Sequence, residues 1–215
     1  FNLTQPPFKD NLTLRRALTM AIQREIIVEK VTRLGEQPAY SWVPPGVYNY
    51  NAQVPEWANW SWEKRLAEAR RLYAEAGYGD DNPLRIELRY NTSENHKKVA
   101  VAIAAMLKQN LGVRVNLINE EWKVFLETRK QKRVTQLFRA GWIGDYNDAY
   151  TFSELMYSTH GINDPGYDSP TYDQLLETAA VEGDFDRRRE ILEEAERVLL
   201  EDQPVSYTHL TLPTS

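Results

Sequence analysis

The chain has 215 residues, 42% hydrophobic and 27% charged, which leaves room for one large domain or two small ones around a real core. Its net charge of -5 is spread over interspersed acids and bases, so no basic stripe is available to nucleic acid, and no apolar run reaches the length of a membrane span. The absence of cysteine excludes a disulfide scaffold, a thiolate zinc site and a cysteine nucleophile.

Residues 1–8 read as an extended entry, because Pro6-Pro7 blocks a helix, and Asp10 or Asn11 then offers a cap. Leu14, Ala17, Leu18, Ala21, Ile22 and Ile26 recur at helical spacing and predict one helix to about Val31, ended by Gly35. Residues 38–60 form a long loop rich in Pro, Gly, Asn and aromatics, a kind that tends to be functional. A second helix is predicted over 62–76, stopped by Gly77. Leu84, Ile86 and Leu88 alternate with charges as a strand, and Ser93 opens a helix that Gly112 closes. A strand through Val113, Val115 and Leu117, a helix over 122–129 and a strand over 136–140 follow. Such alternation implies an α/β unit with parallel pairing, in which ligands collect beyond the carboxyl ends of the strands. Helices over 151–157, 170–180 and 184–200 complete the pattern, and the composition changes abruptly after Pro204-Val205.

The third strand feeds straight into Arg139-Ala140-Gly141-Trp142-Ile143-Gly144-Asp145-Tyr146-Asn147-Asp148-Ala149-Tyr150. Two glycines allow close backbone approach, while Trp142, Tyr146 and Tyr150 offer flat amphipathic surfaces. Asp145 would be a carboxylate in a partly apolar setting, costly unless a cation or local donor satisfies it. Two readings stand at this point: it meets a ligand ammonium, or it caps the turn or the helix that follows.

Several motifs in order extend this reading: Pro6-Pro7-Phe8 before Leu14-Arg15-Arg16-Ala17-Leu18, Glu75-Ala76-Gly77-Tyr78, Tyr90-Asn91-Thr92-Ser93 with His96-Lys97-Lys98, Asn119-Glu120-Glu121-Trp122-Lys123, and Arg139-Ala140-Gly141-Trp142 with Asp145-Tyr146-Asn147. In these the chain resembles the periplasmic solute-binding proteins of peptide ABC transporters, solute-binding protein family 5. The resemblance runs from Phe1 to about Val205. It implies an α/β fold, one lobe of a two-lobed periplasmic-binding-protein-like (class II, cluster C) architecture with a mixed sheet flanked by helices. Residues 1–205 would be the C-terminal peptide-binding lobe, and residues 206–215, which depart from the family, a non-native or disordered tail. Because Phe1 is not an initiator methionine, the sequence is expected to be a piece whose signal peptide lies outside it.

The resemblance also implies roles. Asp145 matches the aspartate that pairs with a peptide's α-amino group, and an ammonium offers it three donors. Arg139 matches an arginine of the same pocket, Arg129 and His96 match cations that meet the peptide carboxylate, and Trp122 and Trp142 match walls of side-chain pockets. Tyr146 and Asn147 complete the ligand-binding set. Ile143 stands where close relatives can have a disulfide-forming cysteine, and Lys132-Arg133-Val134-Thr135 makes the spacing from Arg129 to Arg139 one residue uncertain. Read without the family, His96 is an ordinary first-turn residue, Arg129 a solvated helix end, Arg139 an ion-pair partner of an acid, and both tryptophans core.

On this reading the chain binds short peptides in extended form, delivers them to an inner-membrane ABC permease, and works as a monomer. It would act in the periplasm or lipid-anchored on the outer face of the membrane, with no nucleic-acid partner, cofactor, metal or catalytic residue. Alternatives within the family are murein tripeptide, dipeptides or metal chelates such as nickel complexes, and haem. An enzyme is the rival class, with Asp145 and Asp148, or Glu120 and Glu121, as glycosidase carboxylates. Neighbouring Glu120 and Glu121 would diverge, however, no nucleophile elbow or phosphate loop appears, and His96, His160 and His209 are too scattered for a metal.

Overall fold

The structure is a computed structural model and describes residues 1–210. Helix α1 (Leu12–Met20) starts where Asn11 accepts from the Leu14 amide at 3.1 Å, and it buries Leu14, Ala17 and Leu18. The single helix expected to Val31 is broken. Gln23 is extended, α2 (Arg24–Ile26) restarts the coil, and a π-helical turn Ile27–Thr32 closes on Arg33 at φ 57°. Arg24 explains why the break is tolerated. Its fully buried guanidinium donates to the carbonyls of Thr19 (3.1 Å) and Ile22 (3.0 Å), which a broken helix leaves without partners, and to that of Ala39 (2.9 Å). Burial lowers the Arg24 pKa to about 10, so the group stays charged.

The loop that follows carries β1 (Gln37–Pro38) and leads to α3 (Trp62–Glu75), capped by Ser61 and followed by Gly77 at φ 89°. Strand β2 (Arg85–Asn91), helix α4 (Glu94–Leu111, capped by Ser93), β3 (Arg114–Glu120), α5 (Trp122–Gln131) and β4 (Leu137–Phe138) form the α/β unit. The sheet is parallel, in the order β3-β2-β4, with Ile86 beside Val115 and Leu88 beside both Leu117 and Leu137. The strand expected over 136–140 is only two residues long. At its start the Gln136 side chain, not its backbone, takes the Glu87 amide (2.8 Å), and beyond its end the Arg139 amide still donates to the Arg89 carbonyl at 2.8 Å.

Helix α6 (Tyr150–Ser153), a 3-10 turn Glu154–Met156, α7 (Pro170–Val181) and α8 (Phe185–Asp202) follow. Two cores result. One joins Leu14, Leu18, Leu72, Ile86 and Leu107, and the other joins Val43, Tyr172, Leu176, Leu192 and Leu199. Arg15 ties them by donating to the carbonyls of Phe8, Asp202 and Gln203. Strand β5 (His209–Leu210) pairs antiparallel with β1, so parallel and antiparallel pairing both occur, in separate sheets flanked by helices. Within the tail expected to be non-native or disordered, residues 206–210 are described, and Tyr207 is buried with Ala39 and Leu200. Residues 211–215 of that tail lie outside the described residues. No helix of the described residues is long and apolar enough to cross a membrane.

Candidate functional site

The chain leaves β2, runs through α4 to β3 on one side, then crosses back through α5 to β4 on the other. Such a switch in strand order opens a crevice beyond the carboxyl end of the central strand. The segments that begin there hold most of the predicted residues: His96 in the first turn of α4, Trp122 at the start of α5, and the 139–150 loop after β4.

The loop closes on α6 through a glycine. A Cβ on Gly144 would stand 2.8 Å from the Phe152 ring and 3.2 Å from the Thr151 methyl. The Asp145 amide donates to the Thr151 hydroxyl at 3.2 Å, while its side chain is exposed and has no hydrogen-bond or ion-pair partner among the described residues. Asp145 is therefore neither the cap nor the partly buried carboxylate that the local sequence suggests. Asp148, one residue before the helix cap Ala149, is the acid that takes the first helical amide. It accepts from the Tyr150 amide at 2.8 Å and from both terminal nitrogens of Arg188 at 2.7 and 3.0 Å. Burial raises the pKa of Asp148, but the Arg188 bonds outweigh it and hold the group below its ordinary value. Asn147 accepts from the Tyr48 amide at 3.0 Å, and Tyr146 is 51% exposed.

Trp122 is 46% exposed and stacks on Phe125, with ring centroids 6.1 Å apart, so it is not core. Trp142 is partly buried, and its indole N–H has no partner among the described residues. Both rings keep surface that a ligand could cover.

The cations form a second group. Arg139 is half-buried and has no acid partner among the described residues. Burial, then the positive field of Arg129, lowers its pKa. Burial, and next Arg139, lowers the His96 pKa, and its Nδ1 is buried without a partner among the described residues. Arg129 differs, because its Nε lies 2.9 Å from Asp164 and its guanidinium sits over Phe125 at 5.4 Å. It is neither free nor a solvated helix end. The structure thus puts His96 in the field of Arg139 and Arg139 in the field of Arg129, and no bond links Asp145 to them. His209 of β5 also feels Arg139, behind the larger effects of burial and Glu36.

The proposed glycosidase pairs do not form. Glu120 is paired with Arg89, whose Nε donates to Thr135 at 2.7 Å, while Glu121 caps α5 through the Lys123 amide and Asp148 is committed to Arg188. No metal-binding group of three His, Cys, Asp or Glu occurs among the described residues. Sequence reasoning missed Glu196, which is 1% exposed. One carboxylate oxygen accepts from the amides of Trp42 and Val43 (2.7 Å each), the other from the Tyr50 hydroxyl (2.6 Å) and the Gln53 amide (2.9 Å). A signal was present, because Glu196 follows Leu192 by four residues and precedes Leu199 by three on the apolar face of α8.

Residues 1–164, which include all eight candidate site residues, match the family described as bacterial extracellular solute-binding proteins, family 5 middle. The periplasmic oligopeptide-binding protein OppA of Salmonella typhimurium is 44% identical over 204 residues, 95% of this chain and 37% of that protein. The structure of the Escherichia coli murein tripeptide-binding protein MppA superposes with a TM-score of 0.93 at 38% identity, covering 97% of this chain and 41% of that one. Haemophilus influenzae OppA in complex with RPPGFSPFR gives 0.91 at 35%, with the same coverage. The chain spans less than half the length of these three relatives.

Proposed function

Because the chain belongs to the bacterial extracellular solute-binding proteins of family 5, we propose that it supplies one lobe of the substrate-binding component of an ABC importer. Residues 1–205 form that lobe, and short peptides bind in extended form between it and a second lobe. Asp145 pairs with the peptide α-amino group. His96, Arg129 and Arg139 face the carboxylate or the pocket, Trp142 and Trp122 line side-chain pockets, and Tyr146 and Asn147 frame the amine site. The partner is an inner-membrane ABC permease, and the setting is the periplasm or the outer face of the membrane. Catalysis has no part in this reading, since the relatives are named as binding proteins.

The observation that carries the proposal is a pair of uncompensated charges. At the edge where the strands end, Asp145 is an anion and Arg139 a cation, each without an opposite partner among the described residues. Arg129 can contribute only by sharing itself with Asp164. A free peptide brings the matching ammonium and carboxylate, and closing two lobes over them removes the water that would otherwise compete. Calorimetric titration of the two-lobed protein with a tripeptide and with its N-acetylated form tests this. Tight binding lost on acetylation supports the amine site, and equal binding of both, or of neither, refutes it. The likeness to MppA keeps murein tripeptide as the alternative ligand, which competition against the unmodified tripeptide decides.

A further inference from the structure

The 139–150 loop is short of internal bonds, yet it is held from outside by one helix at two levels. On α8, Arg188 forks the Asp148 carboxylate at 2.7 and 3.0 Å and lies over the Tyr150 ring at 5.7 Å. Eight residues on, roughly 12 Å along the axis, Glu196 gathers four donors from residues 42–53. That segment passes the constraint forward. Its Tyr48 amide donates to Asn147 at 3.0 Å, and the Trp42 indole donates to the Phe152 carbonyl at 2.6 Å, on the residue against which Gly144 packs.

We propose that Glu196 is a positioning residue for the amine site, acting through the 42–53 segment and Asn147 to fix where the Asp145 loop stands. The inference rests on the peptide reading for its effect on binding, though not for its effect on the loop. Glu196 is suited to this because a carboxylate is acceptor-only, and each oxygen here faces two donors. An amide cannot replace it. In Glu196→Gln the oxygen can serve one pair, leaving the NH2 group against the other pair, of which only the Tyr50 hydroxyl can turn to accept. The 42–53 segment also touches α8 through Asn51 on Glu193 (2.9 Å) and Asn49 on the Phe185 carbonyl (3.2 Å), so loss of one oxygen's bonds loosens it without freeing it.

The test is peptide-level hydrogen exchange on the full-length protein in wild type, Glu196→Gln, Asn147→Ala and the double variant. Glu196→Gln should speed exchange at both 42–53 and 141–149 by about threefold or more, while β3 is unchanged. Asn147→Ala, which cuts the direct bond between the two segments, should speed 141–149 and, within 42–53, only the Tyr48 amide that loses its acceptor. Adding Glu196→Gln to it should change 141–149 little further. Confinement of the Glu196→Gln effect to 42–53, its spread evenly over the chain, or no effect of Asn147→Ala overturns the proposal. Tripeptide affinity should fall about tenfold in Glu196→Gln, with a smaller ratio between free and N-acetylated peptide. An unchanged affinity and ratio also overturn it. If wild type binds no tripeptide, the peptide reading fails, and the exchange pattern alone decides the positioning role.

Discussion

Asp148→Asn isolates the ion pair that fastens the recognition loop to α8. Asparagine has one acceptor oxygen, so in the Oδ1 position it keeps the Tyr150 cap and one Arg188 bond and loses the 2.7 Å bond from the other Arg188 nitrogen together with the charge. A bond to a charged group contributes about 1.5–3 kcal/mol in full burial. With side chains 22% and 30% exposed, screening reduces this to about 1–2 kcal/mol. Urea unfolding at pH 7 should show the midpoint lowered with an unchanged slope. The gap should also depend on pH. Arg188 holds the folded Asp148 below its ordinary value of 3.8, so the unfolded chain binds the proton more readily. The stabilisation is therefore full above about pH 5 and shrinks as pH falls through 4 toward the folded value, where wild type carries a neutral side chain as the variant does. A gap as large at pH 3.5 as at pH 7, or one below about 0.3 kcal/mol at pH 7, would refute the reasoning.

Asp145→Asn should leave the melting temperature within about 1 °C, since its side chain has no partner among the described residues, while weakening tripeptide binding by the two-lobed protein about 10- to 100-fold, as expected for one charge-assisted bond. Equal affinity in calorimetry would remove Asp145 from the amine site. Gly144→Ala should cost about 1–3 kcal/mol in thermal unfolding, because its Cβ would meet the Phe152 ring at 2.8 Å, and Phe152→Leu in the same chain should recover part of the loss. No recovery would mean that the strain lies elsewhere. The chain by itself should bind tripeptide weakly, since one lobe leaves the ligand facing water, and micromolar or better binding would contradict the two-lobe mechanism.

Local pattern made the long elements legible, and distant partners set the rest. The faces of α4, α7 and α8 follow from helical spacing, and Gly77 and Gly112 terminate helices at φ 89° and 72° as their positions suggest. The break after Met20 was not legible, because the apolar spacing runs straight through it and only the burial of Arg24 beneath Tyr40 and Trp57 compensates the lost turn. The same limit applied at the site. Both Asp145 and Asp148 precede α6, and local rules allow either to cap it. The choice was made by Arg188, 40 residues later on α8. Glu196 escaped notice for the same reason, since its donors lie more than 140 positions earlier in the chain.

The contrast between the two aspartates bears on specificity. Asp148 is half-buried and neutralised by a fork that costs little to form, because Arg188 is itself held against Tyr150. Asp145 stays in water, where an unpaired carboxylate is stable and carries no penalty. That changes once a second lobe covers it. Losing its water without gaining a cation leaves a buried charge unpaired, whereas an incoming ammonium supplies donors to replace that water. On the peptide reading, discrimination against an N-blocked ligand therefore comes less from the bond made to the right ligand than from the desolvation of Asp145 by the wrong one. The same logic acts on Arg139, already half-stripped of water and lacking an acid among the described residues, so a ligand without a carboxylate leaves its cost uncompensated.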